Sequence, residues 1–157
     1  MTYRKKTWRE KLAGTKGLPK VAPIPEGMGR QWGTGTLVIP APKEVDRIMR
    51  GVPKGKLITI PEIRRILARR HKTTIACPIT TGIFSLIAAH AAREALEKGA
   101  KRVTPYWRTL KAGGEVNSKY PGGLEDQRKR LKAEGHRVIR KGRRFIVEDY
   151  ESHLIGS

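Results

Sequence analysis

Cysteine occurs once in the 157 residues, at Cys77, which excludes an intramolecular disulfide framework and any cysteine-based zinc cluster. The four histidines, His71, His90, His136 and His153, lie far apart and show no metal-ligand spacing, so no metal and no other cofactor is expected. Acidic residues are scarce as well: 14 Asp and Glu stand against 34 Lys and Arg, a formal net charge of +20. Thermally adapted surfaces also carry many cations, but with Glu to match them. A compact domain with this imbalance repels itself unless a polyanion is near, so the charge points to nucleic acid. No apolar run approaches the roughly 20 residues that cross a bilayer, and no membrane partner is expected. The basic start, Met1-Thr2-Tyr3-Arg4-Lys5-Lys6, has no apolar segment behind it and does not read as a secretory signal. The expected location is the cytoplasm, at the nucleoid.

What is present divides the chain into an arm and a body. Residues 1–42 are rich in Gly and Pro and carry eight basic residues against Glu10 and Glu26. Pro19, Pro23, Pro25, Pro40 and Pro42 exclude long helices there. Trp8, Trp32 and the run Thr36-Leu37-Val38-Ile39 suggest an extended basic arm with one short strand that packs on the body. The body, residues 43–150, changes to helical spacing. Val45, Ile48 and Met49 define a short helix that ends at Gly51. A second begins near Pro61, with Ile63, Ile66 and Leu67 as its buried stripe. After a short connector a long helix runs from Pro78 to about residue 98 and stops at Gly99. Two helices joined by a short connector in so basic a chain suggest a helix-turn-helix.

The long helix carries two stripes. Ile83, Leu86, Ile87 and His90 read as its core side. Thr81, Ser85, Ala88, Ala89 and Ala92 form an opposite stripe of small residues, which admits either close approach to a duplex or tight helix–helix packing. Downstream, residues 124–134 read as a helix with Leu131 inward. Residues 137–140 and 144–147 flank the turn signal Lys141-Gly142 and form a basic hairpin, whose Arg143 and Arg144 are placed to press on phosphates as a wing.

Four motifs in order then resemble one family. Val52-Pro53-Lys54-Gly55-Lys56-Leu57 looks like the I-P-x-G-K-V opening of the alkylguanine-DNA alkyltransferase helix-turn-helix. Thr104-Pro105-Tyr106-Trp107-Arg108 falls where that family has I-P-C-H-R. Tyr120-Pro121-Gly122-Gly123-Leu124 resembles its Y-S-G-G-L loop, and Ala133-Glu134-Gly135-His136 resembles the E-G-H that follows. In the family the Cys attacks the alkyl carbon of a flipped guanine, and a His and a buried Glu activate its thiol. Tyr106 and Trp107 occupy the Cys and His positions here, so the usual alkyl transfer is excluded. The chain is similar to the alkyltransferase-like proteins, which bind alkylated DNA without repairing it. Two further positions depart from the family: Ile60 replaces the Tyr that contacts the target phosphate, and Ile79-Thr80-Thr81-Gly82 replaces R-A-V-G, so that Ile79 stands where the family has an inserting Arg.

The resemblance implies a mainly α, winged helix-turn-helix-like domain with a small β content, reading DNA through the minor groove at alkylated or distorted sites. It places Tyr106, Trp107, Arg108, Tyr120, Gly122, Gly123 and Glu134 around the remnant of a base pocket. Ile79, Thr80, Thr81, Ser85, Ala89, Lys54 and Lys56 would contact the duplex, together with Arg143 and Arg144. A partner in repair is an open possibility. Cys77, immediately before Pro78 at a helix start, has two readings: a relocated alkyl acceptor or redox-sensitive thiol, or a small buried residue that closes the turn. An RNA- or ribosome-associated binder is the remaining alternative, since charge does not separate RNA from DNA.

Overall fold

The computed structural model describes residues 5–14 and 16–156; Met1-Thr2-Tyr3-Arg4 of the basic start lies outside them. The arm is more folded than its composition suggests. Thr7 caps α1 (Trp8–Ala13), accepting the amide of Glu10 at 3.1 Å, and Glu94 accepts the amides of Trp8 and Arg9. Trp8 stacks on His90 with ring centroids 4.4 Å apart. Strand β1 (Lys20–Pro23) pairs antiparallel with β2 (Thr36–Ile39), with the short helix α2 (Gly29–Trp32) between them. The arm therefore holds two strands and two short helices where one strand was expected. Prolines limit the helices to one or two turns, while Leu12, Ile24 and Leu37 find apolar partners on the body.

Pro42 opens α3 (Pro42–Arg50), where its missing amide costs nothing, and Glu44 accepts the Ala41 amide at 3.0 Å. Val45 and Met49 are fully buried, one turn apart. Ile58–Thr59 form the short strand β3, and Thr59 then caps α4 (Ile60–His71), whose Ile63 and Leu67 also reach the core. The connector is not plain loop: β4 (Ile75–Ala76) runs parallel to β2, joining arm and body in a three-stranded sheet ordered β1-β2-β4.

Helix α5 (Pro78–Glu97) lies at the centre of the molecule, and its orientation reverses the expectation. Thr81, Ser85, Ala88, Ala89 and Ala92 are buried, whereas Ile79 and Ile83 are 59% and 48% exposed. Small side chains are what allow α1, α3 and α4 to approach one central helix together. Packing took the small stripe inward and left the larger residues on the outside. Beyond it, β5 (Thr109–Leu110) pairs parallel with β3, and α6 (Gly123–Ala133) leads into the hairpin β6 (Val138–Lys141) and β7 (Arg144–Val147). Leu57, Leu110, Val116, Leu131 and Val147 form a second core beneath that hairpin. The fold is mainly helical with small sheets, as the sequence implied, and no helix among the described residues is long and apolar enough to cross a membrane.

Candidate nucleic-acid interface

The residues of the expected base pocket do come together, but as a closed cluster. Tyr106 and Trp107 lie in a 3-10 turn, Tyr106–Arg108, that packs against α6. Tyr106 is fully buried; its ring meets Trp107 and Tyr120 edge to face, at 5.3 and 5.7 Å. Its hydroxyl donates to Asp126 at 2.8 Å, and burial, then that hydrogen bond, pushes the phenol up to about 12. Gly122 takes a left-handed φ of 80° at the α6 cap, where a Cβ would collide with the Asp126 side chain. Gly123, also at positive φ, follows as the first helical residue.

Asp126 is the hub of this cluster, and sequence reasoning missed it. Besides Tyr106 it accepts Arg130 at 2.9 Å and Arg93 at 3.2 Å. Burial raises its pKa, but the bonds from Tyr106, Arg130 and Arg93 outweigh this and hold the carboxyl below its ordinary range. The i, i+4 spacing of Asp126 and Arg130 was the legible signal. Glu134, matched to the family's relay acid, serves another end. It accepts Arg108 at 2.7 Å and the Trp107 indole N–H at 3.0 Å, while Arg108 also donates to the Val52 carbonyl at 2.6 Å. Burial pushes this carboxyl up as well, and the bonds from Arg108 and Trp107 carry it below the usual value. Glu134 thus ties the turn at residues 52–57 to α6, and no proton relay passes through it. Glu134 satisfies Trp107 and Arg108, Asp126 satisfies Tyr106, and the buried Tyr106 ring fills the space among them.

The open space lies on the other side of Tyr120. A groove of about 460 Å³ runs between the start of α4, the first turns of α5 and the loop at residues 111–119. Ile79, Ile83 and Leu86 form its apolar wall, and Arg64, Lys111 and Lys119 supply its cations. No carboxylate lines it. Asn117 and Ser118 add polar edges, and Ser85 lies between the groove and Tyr120, whose phenol is pushed up by burial against the opposing bond from Ser85. Arg64 is held in place by donating to the Ala76 carbonyl at 3.1 Å.

Of the expected duplex contacts, Ile79 is at the groove and exposed, and Ser85 reaches it only from beneath. Thr81 and Ala89 face the core, for the packing reason given above, and Thr80 has a buried hydroxyl without a hydrogen-bond partner. Lys54 and Lys56 flank Gly55, whose backbone bonds to Glu134, and they do not line the groove. Arg143 is exposed at the hairpin turn. Arg144 is a brace: it donates to Glu115 and to the Ala112 carbonyl, each at 3.3 Å, so that the hairpin fixes the groove loop. The groove residues Arg64, Ile83, Lys111 and Lys119 were missed, because only tertiary folding brings α4, α5 and the loop to one place.

Cys77 is buried at the junction of arm and body. Its amide donates to the Val38 carbonyl at 2.9 Å, and its side chain is buried against Ile24 and Leu37 of the arm.

No protein-family model and no curated protein matches the sequence. Among solved structures, the chain is similar to S. pombe Atl1, crystallised in complex with damaged DNA containing O6-carboxymethylguanine. The TM-score is 0.51 at 18% identity, over 72% of this chain and 92% of that one. The likeness is one of fold: this chain has the helical architecture seen in Atl1.

Proposed function

We propose that the chain binds double-stranded DNA across the groove between α4, α5 and the loop at residues 111–119, and favours alkylated or distorted sites. The observation that carries this reading is the groove itself: carboxylate-free, walled by exposed isoleucines, lined with cations, and set in the fold that Atl1 uses on damaged DNA. In this reading α4 and α5 are the helix-turn-helix pair, and β6 and β7 the wing. Phosphate contacts from Lys and Arg supply most of the affinity. Ile79 and Ile83, one turn apart on α5, present an apolar edge to the minor groove, where such residues wedge between base steps. A lesion that already weakens stacking lowers the cost of that insertion. The groove falls within the usual range of small-ligand sites, roughly 300–1,000 Å³, and so has room for an extruded base. Repair by alkyl transfer is not part of the role, since Tyr106 and Trp107 replace the nucleophile and base of the family it resembles. Its place of work is then the cytoplasm, on chromosomal DNA.

Matched duplexes with and without an O6-alkylguanine, compared at fixed salt, test the reading. Tighter binding to the modified duplex is the expected result. Equal affinities overturn the lesion preference, and tighter binding to structured RNA at the same salt overturns DNA as the partner.

A further inference from the structure

A second open volume, about 630 Å³, lies between α6 and β6 and shares no residue with the groove. Helical spacing sets Arg128 and Lys132 one turn apart on α6, and Arg137 and Arg140 line the same cleft. No carboxylate lines it. The acids that reach its cations do so peripherally: Glu125 to Arg128 at 3.4 Å and Glu148 to Arg137 at 3.8 Å, all four side chains at least half exposed. Exposed pairs of this kind neutralise little. Lys132 has no ion-pair partner among the described residues. Four cations of one sign converge here and repel one another until an anion enters.

His136 is an independent observation at the same place. It lines the cleft and is 4% exposed; the Gly55 backbone draws on its ring, and neither ring nitrogen has a well-aligned hydrogen bond. Its pKa is held below the ordinary histidine value by burial first and by His153 next, against the pull of Glu134 and the Gly55 backbone.

We propose that this cleft is a phosphate site, and that it takes a backbone phosphate of the same duplex whose bases face the groove; the second part rests on the function proposed above. Arg forks match phosphate oxygens in pairs. The hairpin connects the two openings. Arg144 ties β7 to the groove loop, and β6 lies one strand further, about 5 Å.

The double variant Arg128→Gln, Lys132→Gln keeps good helix formers at exposed positions of α6. Against unmodified duplex it is expected to lower the slope of log affinity on log salt by about 0.9, the share of one lost phosphate contact. The preference for alkylated duplex is expected to stay as it was. The control pair Lys98→Gln, Lys101→Gln, just beyond the end of α5 and about 18 Å along the helix from the groove, is expected to leave the slope unchanged. An unchanged slope in the first variant, or an equal loss in the control, overturns the proposal. Loss of the lesion preference in the unmutated chain instead overturns the function of the groove and leaves the slope comparison valid. Titration with inorganic phosphate, followed by the His136 ring protons in NMR, distinguishes the source. A shift there with no slope change in the duplex experiment assigns the cleft to free phosphate and overturns the duplex contact.

Discussion

At the scale of single residues, the cluster around Tyr106 is a set of mutual anchors. The two carboxylates, Asp126 and Glu134, hold Tyr106, Trp107, Arg108 and Arg130, so each polar group in the cluster has a partner. Glu134→Gln leaves the 13%-exposed Arg108 without its counter-charge, and a loss of about 3 kcal/mol is expected in guanidinium unfolding. Because the folded pKa of Glu134 is depressed, its contribution is present above the ordinary carboxylate range and disappears as the pH falls through the folded value. His136 has a depressed pKa too, but its sign runs through a base. The unfolded chain takes up a proton below about pH 6.5 while the folded chain resists, so stability falls as the pH drops through that value toward the folded one. A plot of melting temperature against pH should be flatter between pH 7 and 5 in His136→Phe than in the unmutated chain. Restoring a thiol with Tyr106→Cys is expected to give no mass gain on alkylated duplex, since Trp107 is no general base and Glu134 is engaged by Arg108.

At the scale of elements, α5 decides what the molecule presents. Both of its stripes have helical period, so pattern alone does not say which faces inward. Ala89 is fully buried between packed helices, and Ala89→Leu is expected to cost about 1–3 kcal/mol through overpacking, read as a lower denaturation midpoint. Ile83→Ser, at a half-exposed position, is expected to change stability by no more than about 0.5 kcal/mol. The same substitution should weaken duplex binding roughly tenfold, or about 1.4 kcal/mol, in a titration at fixed salt. A destabilised Ile83→Ser with unaltered binding would reverse the assignment of the two faces. The motifs of the 104–108 and 120–136 segments were readable one by one because their spacing is local. That Tyr106 closes the pocket was not readable, because Asp126 and Tyr120 reach it from separate elements.

At the scale of the whole molecule, charge and the arm set the behaviour. With +20 on 157 residues, and if about six phosphates are contacted, duplex affinity should fall roughly a thousandfold between about 50 and 200 mM salt. A flat response would remove the electrostatic argument. The arm covers the N-terminal end of α5, where Ile24, Met28, Trp32 and Leu37 pack around Cys77. Intact-mass measurement after iodoacetamide should therefore find Cys77 unmodified in the native chain and fully modified in denaturant.

The sequence by itself determined the excess of positive charge, the helix starts at Pro42, Ile60-Pro61 and Pro78, and the absence of a thiol at Tyr106, because charge, caps and side-chain chemistry are local properties. Tertiary structure alone decided that Thr81 and Ala89 turn inward, that Ile79 and Ile83 face solvent, and that Cys77 lies beneath the arm. Those outcomes depend on how closely α1, α3 and α4 can approach one helix, a matter of excluded volume among segments far apart in the chain.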